Sequence, residues 1–295
     1  MRFFDGHCDT ASEILNKGQG LMKNNLHIDG KRLEKFEDTT QVFAVFISPE
    51  YYSAPMERCK GIIDNFKTEL RKCGMSLWES GEMPKKSPRA ILSLEGGEPI
   101  ESFADLNTLA KWGIRMIAPT WNHKNQLGTG VMDAEDEGLT DFGKKVINKM
   151  GKMGIILDVS HLSEKSFWDA ISVYDGIVCA SHSNLKSVKN HPRNLTDDQF
   201  IAIKNRGGVC GINLYPPFFG EDISCIKAHI DAFLALGGED NIGLGCDFDG
   251  VDFLPSGVTG VESIESIIKN LPYSTEIKEK IAYRNFMRVF LAQNW

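Results

Sequence analysis

A chain of 295 residues in which 42% of side chains are hydrophobic and 25% charged has the balance of a globular protein that buries a sizeable core, which excludes a disordered chain. Its formal charge of -7 comes with Lys and Arg scattered along the sequence, so no basic stripe faces a phosphate backbone and nucleic acid is excluded as a partner. No apolar run nears the ~18 residues of a membrane span, the C-terminal VFLAQNW is too short for a lipid-anchor signal, and seven cysteines behind an N-terminus without a signal-peptide pattern predict a soluble, cytoplasmic protein with free thiols.

The first apolar run, Phe3–Gly6, predicts a strand and leads into His7 and Asp9. In extended chain, residues i and i+2 face the same way, so these two can bind one ion while Cys8 points elsewhere. A surface His-x-Asp pair is the plain alternative. Gly18–Thr40 is irregular and is expected to be a surface insertion, followed by a second strand at Val42–Ile47 and an amphipathic helix at Arg58–Lys72. The third strand, Ala90–Leu94, ends on Glu95 and two glycines that allow close backbone approach. A carboxylate in so apolar a run needs a cationic partner, either an Arg or Lys or a metal that its two oxygens could bridge.

A fourth strand at Met116–Pro119 and a helix at Asp141–Met153 precede two runs with the same ending. Ile155–Val159 finishes on Ser160-His161, and Ile177–Ala180 on Ser181-His182. One His at a strand end is more often structural; two on adjacent strands favour an ion held by imidazole nitrogens. Between and after them, Ser163 stands at the N-cap of a helix over Glu164–Tyr174, and Thr196 to Gln199 has the form of a capping box opening a helix over Asp197–Arg206. Gly207-Gly208 closes that helix before a seventh strand, Val209–Ile212. A helix at Ile223–Leu236 and an eighth strand at Ile242–Gly245 follow, then Asp247 and Asp249. Asp247 is open to three roles: weak metal ligand, holder of a nucleophilic water, or proton exchanger. Asp249 before Gly250 suits a turn cap, and Gly250–Gly260 reads as a second surface insertion. His27, His191 and His229 lie in loops or on a helix and are taken as non-ligands.

Eight strand–helix units predict one α/β domain over residues 1–295, a (β/α)8 TIM barrel, although an open doubly wound sheet shares the alternation. Polar residues clustered after the strands sit where a barrel builds its site. Together they supply His7, Asp9 and Glu95 for one ion and Glu95, His161 and His182 for a second. Two ions about 3.5–4 Å apart can polarise a carbonyl and acidify a bridging water. Mixed imidazole and carboxylate donors suit zinc, and manganese or cobalt would fit the same cage.

The ordered motifs DGHCDT at Asp5–Thr10, SLEGG at Ser93–Gly97, GLTDFG at Gly138–Gly143, DVSHLS at Asp158–Ser163, SHSN at Ser181–Asn184, HPRNLTD at His191–Asp197, GGVCGIN at Gly207–Asn213 and GCDFDG at Gly245–Gly250 cover nearly the whole chain. In them the sequence resembles the membrane dipeptidase (renal dipeptidase) family of zinc peptidases. The resemblance implies a metal-dependent hydrolase of dipeptides, with His7 and Asp9 on one zinc, His161 and His182 on the other, and Glu95 bridging. It further implies that Arg193 grips the substrate carboxylate, that Asp247 transfers the proton at the scissile amide, that a D-configured C-terminal residue is accepted, and that the chain forms a homodimer. From spacing alone Arg193 reads as a loop surface residue. The resemblance breaks at one place. Mammalian members carry a His just after the fourth strand that contacts the reacting carbonyl oxygen, whereas Trp121 stands there in this chain, leaving its indole N–H or His123 as the replacement. Two other functions stay open: a hydrolase of cyclic amides or esters on the same barrel, and a metal-binding paralogue that has lost catalysis.

Overall fold

The computed structural model describes residues 1–293; the last two residues of VFLAQNW lie outside the described residues. Eight parallel strands form the central sheet: β1 (Arg2–Cys8), β2 (Asp38–Phe46), β3 (Arg89–Glu95), β4 (Ile114–Ala118), β5 (Ile156–Asp158), β6 (Val178–Cys179), β7 (Cys210–Ile212) and β8 (Ile242–Leu244). They pair in the order β6-β5-β4-β3-β2-β1-β8-β7, and a parallel bridge from Ala180 to Cys210 joins the two ends into a ring. The expected (β/α)8 barrel is therefore the one observed. A two-residue strand, Ser76–Leu77, adds to the outer edge beside β3 and was not foreseen.

Alternation along the strands sorts the apolar residues into two layers. Phe3, Phe43, Leu92 and Ile117 face the surrounding helices. Their neighbours Phe4, Val42, Ile91 and Met116 point into the barrel, where Phe286 and Phe290 of the C-terminal helix Asn285–Leu291 meet them. Phe4 stacks on Phe286 at 5.5 Å between ring centroids. Each such ring taken from water contributes about 1.5–3 kcal/mol, so the C-terminal helix is a stopper for the bottom of the barrel.

Both predicted helix starts are present. Ser163 Oγ accepts from the Ser166 backbone N–H, and Thr196 with Gln199 forms the reciprocal capping box, a cap worth about 1 kcal/mol. The expectation of a surface insertion at Gly18–Thr40 is corrected: Leu21, Ile28 and Leu33 are wholly buried, because the segment folds over the outside of the barrel and includes a short helix, Gly30–Leu33. The seven cysteines are unpaired, six of them buried. Among the described residues no helix is long and apolar enough to cross a membrane.

Candidate metal centre

The strand ends at the mouth are held by two buried carboxylates that take no direct part in the cluster. Asp5 accepts from the backbone N–H of His7 at 3.0 Å and of Cys246 at 3.1 Å, tying the end of β1 to that of β8. Burial pushes its carboxyl up to about 6. Asp158 does the same between β5 and β6, accepting from the N–H groups of Ser160 and Ser181 at 3.0 Å each and from the Ser181 hydroxyl. Sequence reading missed both residues. Asp158 is visible in the DVSH motif but has no signal of its own, since its partners lie on the next strand.

On this frame six side chains converge. His7 Nε2 stands 3.1 Å from Asp9 Oδ2, 3.4 Å from Glu95 Oε2 and 3.6 Å from Asp247 Oδ1. The other oxygen of Glu95 faces the opposite way: Oε1 is 2.8 Å from His161 Nε2 and 3.6 Å from His182 Nε2. Glu95 thus divides the cluster, one oxygen to each half. Among the described residues three donor groups are compact enough for an ion: His7, Asp9 and Glu95; Glu95, His161 and His182; and His7, His182 and Asp247. All six residues are buried.

Three observations fit these donors to cations. The Nε2 atoms of His161 and His182 approach to 2.8 Å while His161 Nε2 also faces Glu95 and a guanidinium, more neighbours than one N–H or one lone pair can serve. Asp9 Oδ1 is buried without a partner, a costly state for a carboxylate unless a cation takes it. The electrostatics agree. Burial and then the positive charge of Arg193 hold the His161 imidazole down to about 4, and burial with the charges of His7 and Arg193 keeps His182 well below its usual range, so both rings are neutral and offer lone pairs. At His7, burial opposes the imidazolium, yet the carboxylates of Glu95 and Asp9 outweigh it and raise its pKa well above the ordinary value. Asp9 is pushed well up by burial and by Glu95.

Backbone conformation is unusual here. Among the described residues His161, Asp247 and Asp249 are the non-glycine residues with positive φ, at 69°, 60° and 68°, a left-handed conformation costing about 1–3 kcal/mol each that collects at functional sites. Close approach does the rest at Gly250, where an added Cβ would lie 2.2 Å from Asp9 Oδ2 and 2.5 Å from Asp247 Oδ1.

The cluster opens into a cleft of about 450 Å³ lined by Ser12, Glu13, Lys17, Phe46, Trp121 and the acids Asp247, Asp249 and Asp252, among others. Trp121 forms one wall, its ring 5.0 Å from Phe46 and 6.3 Å from the His161 ring. His123, the alternative for the same task, is not brought to the cleft; its side chain is 64% exposed and its Nδ1 lies 3.3 Å from Asp133. Asp247 Oδ2 accepts from Asn213 Nδ2 at 2.8 Å. Asp249 accepts from the Thr10 hydroxyl at 2.5 Å and the His27 N–H at 2.6 Å, clasping the Gly18–Thr40 segment to the mouth. His229 bonds the Phe219 carbonyl, and His191 Nδ1 accepts from the Arg193 N–H.

Arg193 is not the loop surface residue that spacing alone suggests. It is 6% exposed, and its Nη2 donates to His161 Nε2 at 3.0 Å and to the His182 carbonyl at 3.3 Å. Phe218 lies against the guanidinium at 5.5 Å. The HPRN motif hides this, because a polar loop looks alike whether it folds inward or outward.

The sequence model of the membrane dipeptidases, peptidase family M19, matches residues 1–294 of the chain. An uncharacterised protein encoded 5′ of pqqA in Klebsiella pneumoniae is 35% identical over 202 residues, 63% of this chain and 74% of that protein. An uncharacterised dipeptidase of Schizosaccharomyces pombe is 32% identical over 220 residues, 68% of this chain; the match spans about half of that protein, 52%. The crystal structure of a Rhodobacter sphaeroides metallopeptidase liganded with a phosphinate mimic of the dipeptide L-Ala-D-Ala has the same fold, with a TM-score of 0.86 at 24% identity over 100% of this chain and 99% of that one.

Proposed function

The chain belongs to the membrane dipeptidase family, peptidase family M19, and from that premise we propose that it hydrolyses dipeptides with two zinc ions at the barrel mouth. The observation that carries this is the split of Glu95 between two donor groups, with Asp9 and His7 on one side and His161 and His182 on the other. Imidazole and carboxylate donors in this mixture suit zinc, with manganese or cobalt as substitutes. When bound, the two cations polarise the scissile carbonyl and acidify the attacking water.

The chain's own residues do the remaining work. Arg193 is the substrate's anchor. Its guanidinium lies buried beside the cluster, with Nη2 engaged by His161 and the His182 carbonyl, and the other N–H groups of the planar fork are the donors for a carboxylate. Asp247 is the proton carrier. Burial raises its carboxyl above the ordinary range, and the Asn213 amide fixes one oxygen, leaving Oδ1 to take a proton from the attacking water and pass it to the leaving amine. Trp121 and Phe46 wall the cleft, keep bulk water off the reacting bond and favour compact side chains. A relative of the same fold holds a mimic of L-Ala-D-Ala, which supports a D-configured residue on the C-terminal side. We place the protein in the cytoplasm on its unpaired cysteines.

The test is a panel of L,L and L,D dipeptides with their C-terminally amidated analogues, run on the zinc-loaded protein and on Arg193→Lys. Arg193→Lys is expected to raise KM for free dipeptides at least about tenfold and to change the amidated ones far less, since lysine keeps the charge but not the fork. Equal losses on both would make Arg193 structural and reopen the reading as a hydrolase of cyclic amides or esters.

A further inference from the structure

Two residues of the loop after β4, Trp121 and His123, are singled out by their types. The residue between them makes the contact. Asn122 Oδ1 lies 2.8 Å from His161 Nδ1, on the side of the ring away from the cluster. The other ring nitrogen, Nε2, is 3.0 Å from Arg193 Nη2. The Asn122 side-chain oxygen can only accept, so in the neutral ring the proton sits on Nδ1 and is donated to it. Nε2 then carries a lone pair, which suits the Arg193 donor and leaves Glu95 Oε1, 2.8 Å away, with no proton between them, a contact that a cation would relieve. We propose that Asn122 is a positioning residue that fixes the tautomer and tilt of His161 so that its Nε2 lone pair points toward the ion site it shares with Glu95 and His182.

The loop holds the Asn122 backbone in place. The Asn122 main-chain carbonyl accepts from the Met132 N–H at 2.9 Å, and Gly130 packs so close that an added Cβ would lie 2.4 Å from the Asn122 main-chain carbonyl carbon and oxygen. The same strand of loop returns to His161, whose carbonyl accepts from the Val131 N–H at 2.8 Å. His161 therefore has its backbone, at φ 69°, and its ring gripped by one rigid loop. The second strand-end histidine is oriented by different chemistry: His182 Nδ1 meets the Ser181 hydroxyl at 2.7 Å, which in turn donates to Asp158. His7 Nδ1 has no such partner. Outer partners of this kind typically change metal affinity 10–100-fold.

This inference rests on the two-metal dipeptidase reading for its consequence but not for its geometry, and two readouts separate them. The first is the imidazole ¹⁵N spectrum of His161 in metal-free wild type, Asn122→Asp and Asn122→Leu. The Nδ1–H tautomer is expected in wild type and in Asn122→Asp, which keeps an acceptor, and a mixed population in Asn122→Leu, which has none. The second is zinc affinity by competition with a chelator: a loss of about 10–100-fold in Asn122→Leu and little loss in Asn122→Asp. A wild-type His161 protonated on Nε2, or an Asn122→Leu protein with wild-type tautomer and zinc affinity, overturns the proposal. If wild type takes up no zinc, the dipeptidase reading fails while the tautomer result still decides the role of Asn122.

Discussion

Glu95→Gln is expected to lose at least one of the two metals after zinc loading and dialysis, and to lower kcat/KM on dipeptides by at least about 10³, the upper end of what removing one electrostatic stabiliser costs. The amide is nearly isosteric with the carboxylate, so packing at the end of β3, where Glu95 pairs in register with Ala118 and Phe46, is preserved. What changes is charge. In the metal-free protein burial works against the Glu95 carboxylate, but the charge of His7 prevails and holds its pKa well below the ordinary value; with cations present the same anion faces both halves of the cluster. A neutral amide offers one oxygen and no charge to two dications. The variant should still melt cooperatively. Two metals per chain with wild-type rates would contradict the bridging assignment.

Asp247→Asn is expected to act on a different quantity. Asparagine can keep the contact with Asn213, now through its carbonyl oxygen, but it can neither accept nor return a proton. Loss of a positioned acid–base group costs about 10²–10⁴ in kcat, with KM and the two-metal stoichiometry nearly unchanged. The third donor group, His7 with His182 and Asp247, supplies the competing outcome. If Asp247 is instead a ligand, the variant loses metal along with rate, and elemental analysis separates the two.

How much of this was legible in the sequence depends on whether a residue's role is written in its own neighbourhood. Ser160-His161 and Ser181-His182 repeat one ending on successive strands, and barrel strands present such endings at a common mouth. Glu95 stands out because a carboxylate ending an apolar run demands a partner. Asp5, Asp158, Asn122 and Asn213 were not legible, because each acts by holding a residue distant in sequence: Asp5 reaches Cys246, and Asn122 reaches His161. Residue type misled at His123, which points out to Asp133; beyond a strand end the two-residue alternation lapses and nothing local says which side chain turns inward. Left-handed φ at His161, Asp247 and Asp249 carries no sequence mark, since glycine is the residue that advertises it. The stopper helix was missed for another reason. Phe286 and Phe290 look like the apolar stripe of any last helix, and only the ring of inward residues at Phe4, Val42, Ile91 and Met116 explains which surface they fill.

The central claim is that one chain builds a two-metal centre that hydrolyses dipeptides. Its most direct test is to titrate metal-free protein with zinc while following hydrolysis of a single good dipeptide substrate from the panel. Activity is expected to be negligible without metal and to rise until two equivalents per chain are added, then level off. A plateau at one equivalent, or a protein that holds two zinc ions and hydrolyses no dipeptide, would contradict it.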